Sequence, residues 1–130
     1  MGVVSAIGNS VADNHLALKE GRCGIRNELD LFPTRYADLL PFGQVGISTN
    51  ELLEKFNVKE PGVTRTTLLA LQAMNECVED GYLSSAAISA AGTALVGAST
   101  VGGMCLTDEL YADANENHQG SPYTSSYGCA

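Results

Sequence analysis

The segment that most constrains this chain runs from Thr64 to Asp80, where Leu68, Leu71, Met74 and Val78 recur at steps of three and four. That spacing lays the four side chains along one face of an α-helix, and adjacent Leu69 and Ala73 widen the face enough to call for burial on more than one side. Gly81 stands where such a helix would end. Downstream, TALVGASTVGGM from Thr93 to Met104 is a short run of small and β-branched residues closing on the paired glycines Gly102 and Gly103. It reads as a buried strand that leads through a turn no bulky residue could follow and then into a helix from about Gly103 to Ala114, with Met104, Leu106, Leu110 and Tyr111 able to pack inward. Upstream, GVVSAIGNS reads as the end of a strand. A long buried helix between two strands implies a parallel crossover, so the expected class is α/β.

The intervening segments carry local signals. Ser10 followed by Asp13 has capping-box spacing and Gly21 is a stop, which predicts a helix near residues 10–20. Its apolar positions Val11, Leu16 and Leu18 are few, so this helix belongs at a surface. From Arg22 to Gln44 neither helical nor strand period is sustained, and an irregular excursion over about 22–62 is expected, with Phe32, Tyr36, Leu39, Leu40 and Phe42 as a local apolar cluster. Within it, Thr49, Asn50 and Glu51 open a short helix through about Lys55, closed off by Pro61 and Gly62. The small residues from Ser84 to Gly92 suit a short helical turn, and the last stretch, NENHQGSPYTSSYGCA, is polar and turn-rich.

Charge excludes one class of partner. The net charge is −8, and beyond Arg65 there is no Lys or Arg, while Glu76, Glu79, Asp80, Asp108, Glu109, Asp113 and Glu116 follow. Phosphate neutralisation needs basic side chains, so no nucleic-acid partner is expected. Lys19, Arg22, Arg26 and Arg35 are interleaved with acids and read as a solvated mixed-charge surface. No run approaches the roughly 18 apolar residues of a membrane span, and no basic-then-apolar leader opens the chain, so a cytoplasmic setting without membrane attachment is expected. Cys23, Cys77, Cys105 and Cys129 form no close pair, and only His15 and His118 accompany them, which fits free thiols and no metal, with Cys77 and Cys105 packed as small hydrophobes.

Adjacent Asp108 and Glu109 point in different directions on a helix, so they do not form an acid–base pair. The glycine turn invites nucleotide readings, and both fail. Gly97 to Gly102 has the spacing of a phosphate loop, but Gly103 and Met104 occupy the positions of the required lysine and hydroxyl residue. Gly97, Ser99 and Gly102 do not match a dinucleotide fingerprint either. Taken alone, Gly102 and Gly103 only let a helix and a strand approach closely.

An ordered set of phrases points further. GVVSAIGN at the start, then Glu20, Gly21, Arg22, Cys23, Gly24 and Ile25, then a middle helix from near Arg65 ending in EDGYL, then Ala98, Ser99, Thr100, Val101, Gly102 and Gly103, resemble in order and spacing the opening of β-ketoacyl-(acyl carrier protein) synthases. In that family the second phrase is EGxSGI-like, so Cys23 stands where serine is usual, and the last is a GSGIGG-like turn. The resemblance covers most of residues 1 to about 105, and its specificity lies in the order of the set.

The resemblance implies a thiolase-like layered α/β/α domain with a mainly parallel sheet, of which residues 1–130 would be an incomplete N-terminal part. It implies an acyltransferase of fatty acid, polyketide or pigment synthesis that takes an acyl group from an acyl carrier protein onto a cysteine. The acyl group is then condensed with a malonyl unit upon decarboxylation, without a cofactor and in a homodimer or heterodimer. A thiolate suits this because it both attacks and leaves a thioester readily. Two basic residues, commonly histidines, and backbone amides stabilise the developing charge. The residue matching Val101 borders the acyl pocket near the dimer interface, with Gly102 and Gly103 shaping the wall. The family's nucleophile lies in a TAC(S/T)S-like turn beyond the glycine turn, and these residues contain none. Cys129, in YGCA, has no following helix to activate it, and His118 reads as a loop residue, so no catalytic residue is assigned and the chain is expected to be silent alone. Two alternatives stand beside this: a non-catalytic partner of the chain-length-factor kind, and an unrelated small α/β binding module.

Overall fold

The computed structural model describes residues 1–31, 34–60 and 62–98. Their order is helix α1 (Val11–Lys19), strand β1 (Ile25–Arg26), strand β2 (Phe42–Gly43), helix α2 (Thr49–Lys55), helix α3 (Arg65–Asp80) and helix α4 (Ser85–Ile88). The secondary structure is therefore mixed α and β. Within the described residues the core is small: Ala17 of α1, Leu52 of α2 and Leu68 of α3 are its fully buried apolar residues. None of the described helices is long and apolar enough to cross a membrane.

Every described helix begins on a hydroxyl. Ser10, Ser48, Thr64 and Ser84 each hold an extended backbone and accept a hydrogen bond from the N–H three residues on, at 3.1 to 3.2 Å. Each thus satisfies one of the amides a helix start leaves open, which is why these boundaries follow local sequence. At α2 the box is reciprocal, since Ser48 N–H donates to the Glu51 carboxylate at 2.7 Å. The Ser48 hydroxyl, and after it the Ser48 amide, holds the Glu51 carboxyl below its ordinary value of 4.5. A carboxylate whose folded pKa is depressed contributes stability above the unfolded pKa and loses it as pH falls through the folded value. Lowering pH below about 4.5 is therefore expected to loosen α2, and Glu51→Gln to remove this part of the acid response in pH-dependent circular dichroism.

The three longer helices end alike. After α1, Gly21 N–H donates to Leu18 and Arg22 N–H to Ala17; after α2, Asn57 donates to Glu54 and Val58 to Leu53; after α3, Tyr82 donates to Glu79 and Leu83 to Val78. Each is a Schellman closure with its first residue beyond the cap in the left-handed region, at φ 68° for Gly21, 49° for Asn57 and 50° for Tyr82. Gly21 and Gly81 thus both stand where their helices stop, as the sequence suggested, but in different roles: Gly21 takes the left-handed position, whereas Gly81 is the cap itself at an ordinary φ of −82° and the left-handed position after it falls to Tyr82. A Tyr82→Gly variant is expected to gain about 0.5–1 kcal/mol, because a Cβ in that region is disfavoured and the ring, 96 % exposed, contributes no packing. Denaturant titration of the two proteins checks this.

Four sequence expectations are corrected. GVVSAIGNS forms no strand; Ser5 and Gly8 exchange backbone hydrogen bonds of 2.9 and 3.3 Å across a tight turn, which Asn14 locks by donating to Gly8 O and Ser10 O. The described part of the second expected strand, residues 93–98, is irregular, with Leu95 80 % and Val96 92 % exposed, because no neighbouring strand among the described residues takes up its backbone. The sheet that does form lies inside the excursion, before α3: β1 and β2 pair antiparallel with Ile25 opposite Gly43 and Arg26 opposite Phe42. No parallel crossover is present among the described residues. The excursion's apolar cluster is also open, with Tyr36, Leu39 and Leu40 exposed and Phe42 half-buried. Phe32 and the expected helix from Gly103 to Ala114 lie outside the described residues.

Candidate functional site

Helix α3 collects the described fold, and it does so through a face other than the apolar one. Arg65, Gln72, Glu76 and Asp80 follow one another at steps of seven, four and four, which aligns them along the helix. At the first turn, Arg65 donates from Nη1 to Thr49 Oγ1 at 3.2 Å and from Nη2 to the carbonyls of Val45 and Ile47 at 3.1 and 2.6 Å. One guanidinium fork thereby fastens the chain entering α2 to the start of α3. Gln72 accepts from Lys55 Nζ at 2.7 Å and donates to Asn9 O at 3.4 Å. Glu76 accepts from Val3 N–H at 3.0 Å and from Val11 N–H at 2.6 Å, so its carboxylate sits at the opening turn of α1, where a negative charge is favoured. Asp80 pairs with the Met1 ammonium at 2.6 Å.

By contrast, the predicted stripe is covered incompletely. Leu68 is fully buried, but Leu71, Met74 and Val78, with Leu69 and Ala73, are only half-buried, and Cys77 is exposed rather than packed. α2 is the element that packs on α3, and it is seven residues long, too short to cover sixteen.

Three described glycines record close approaches, Gly8 against Asp13 and Asn14 of the adjoining helix, and Gly24 and Gly2 against more distant segments. A Cβ on Gly24 would lie 2.7 Å from Ile7 Cγ2 and 2.8 Å from the Ala6 carbonyl, and a Cβ on Gly2 would overlap the carbonyl of Ala73 on α3. The opening turn is thus pressed between the Glu20–Ile25 phrase on one side and the long helix on the other, at distances only glycine permits.

A cavity of about 340 Å³ opens between β2 and the first turn of α3, lined by Leu29, Phe42, Gly43, Gln44, Val45 and Arg65. Its polar groups are engaged in holding the fold. Gln44 is buried, accepts from Leu31 N–H at 3.1 Å and donates to Asp30, which holds the Asp30 carboxyl below its ordinary value. Burial lowers the Arg65 guanidinium from its ordinary value, although an arginine stays charged at any physiological pH.

The acyl-pocket residues expected from sequence, Val101, Gly102 and Gly103, lie outside the described residues, as do His118, Cys105 and Cys129. Cys23 is an exposed free thiol and His15 is exposed. Among the described residues no group of three or more His, Cys, Asp or Glu could hold a metal ion. Sequence reasoning passed over Arg65, Gln72 and Glu76 as anchoring groups; their signal was the three-and-four spacing of polar residues beside the apolar stripe. A scan against protein-family models finds no match, and searches of curated proteins and of solved structures find none either.

Proposed function

We propose that this chain is the N-terminal part of a β-ketoacyl-(acyl carrier protein) synthase with the thiolase-like layered α/β/α architecture. The observation that carries the reading is that phrases responsible for the resemblance, far apart in sequence, lie against one another. Ala6 and Ile7 of the opening phrase touch Gly24 of the Glu20–Ile25 phrase, and Gly2 touches Ala73 of the middle helix. Glu76 of that helix bonds both Val3 and Val11. A second support is the half-buried stripe of Leu71, Met74 and Val78, which a mainly parallel sheet laid against α3 would cover.

On this reading the parent protein carries an acyl group from carrier protein to a cysteine thiolate, with release of the carrier thiol, and then condenses it with malonyl thioester upon loss of carbon dioxide. Val101 borders the acyl pocket, where its size limits chain length, and Gly102 and Gly103 let the backbone pass the pocket wall. The protein acts in the cytoplasm as a dimer, with acyl carrier protein as its partner.

The test is acylation. The 130-residue chain, and the product read through whatever coding sequence follows Ala130, are each incubated with radiolabelled acyl-carrier thioester and the label is mapped. The shorter chain is expected to take no label, and the longer one to take it on a cysteine in a TACS-like turn. Label on Cys129 of the shorter chain would overturn the expectation that it is silent alone, and a continuation lacking that cysteine would overturn the catalytic reading and assign the chain to the non-catalytic partner class instead.

A further inference from the structure

We draw no further inference here: the strongest candidate, the cavity between β2 and the first turn of α3, has its guanidinium committed to Val45, Ile47 and Thr49 and its carboxamide to Asp30 and Leu31, so nothing in its walls selects a class of ligand.

Discussion

Truncating Leu68 to alanine is expected to cost about 2–4 kcal/mol, whereas the same truncation at Leu71 should cost about 1 kcal/mol, although both belong to one helical repeat in the sequence. The difference rests on burial. Leu68 is completely enclosed, so its removal forfeits the transfer energy of the side chain and leaves a void that the surrounding helices fill only in part. Leu71 is half-buried, and water enters where its methyls were. Leu52 of α2 is enclosed as Leu68 is, and its truncation should match the Leu68 loss. Against a typical domain stability of about 5–15 kcal/mol, either core truncation removes a large share, because the described core holds only Ala17, Leu52 and Leu68. Chemical denaturation of the three alanine variants makes the comparison. Equal losses at Leu68 and Leu71 would mean that the outer stripe of α3 is covered in solution, by another copy or another part of the protein.

The second large effect is expected at Arg65. Replacing it with methionine keeps most of the apolar stem but removes bonds to Val45 O, Ile47 O and Thr49 Oγ1, and about 2 kcal/mol should be lost. A bond to a charged group is worth about 1.5–3 kcal/mol when fully desolvated, but Arg65 is half-buried, so water replaces part of what the guanidinium supplied. Arg65→Lys should recover less than half of the loss. An ammonium is a compact point charge and cannot reach two carbonyls and a hydroxyl with a planar fork. Limited proteolysis gives an independent readout: cleavage within residues 45–49 should accelerate in Arg65→Met and not in Leu68→Val. A loss below about 0.5 kcal/mol with unchanged cleavage would show that the fork does not hold the entry to α2, placing the contacts among exposed polar pairs of little net worth.

The helices were legible where their causes are local. A hydroxyl before a helical run satisfies an amide three residues away whatever the rest of the chain does, so α1 and α2 begin and end where Ser10, Gly21, Thr49 and Lys55 suggested. Gly81 caps α3 as its sequence suggested, but which residue would carry the left-handed backbone was not legible, because Gly81 and Tyr82 offer two registers for the same closure. The one adopted places Leu83 near the end of α3, where a Cβ on Gly81 would lie 3.3 Å from Leu83 Cγ, and leaves the left-handed backbone to tyrosine. The pocket residues Val101, Gly102 and Gly103 were nameable only through the ordered phrases, and they lie outside the described residues.

Strands were the least legible, since a strand exists only by virtue of its neighbour. GVVSAIGNS and residues 93–98 have strand composition, yet among the described residues neither meets a partner, while Ile25–Arg26 and Phe42–Gly43 pair without any alternating pattern to announce them. The sequence by itself determined the helices, their caps and the apolar repeat of α3, because hydrogen bonds three and four residues apart set them. Only the tertiary structure decided that the polar line of Arg65, Gln72 and Glu76 would gather the chain while Leu71, Met74 and Val78 stayed half-covered. A helical repeat specifies that a face must be buried, but what covers it depends on segments distant in sequence, and here a seven-residue α2 is too short to do so.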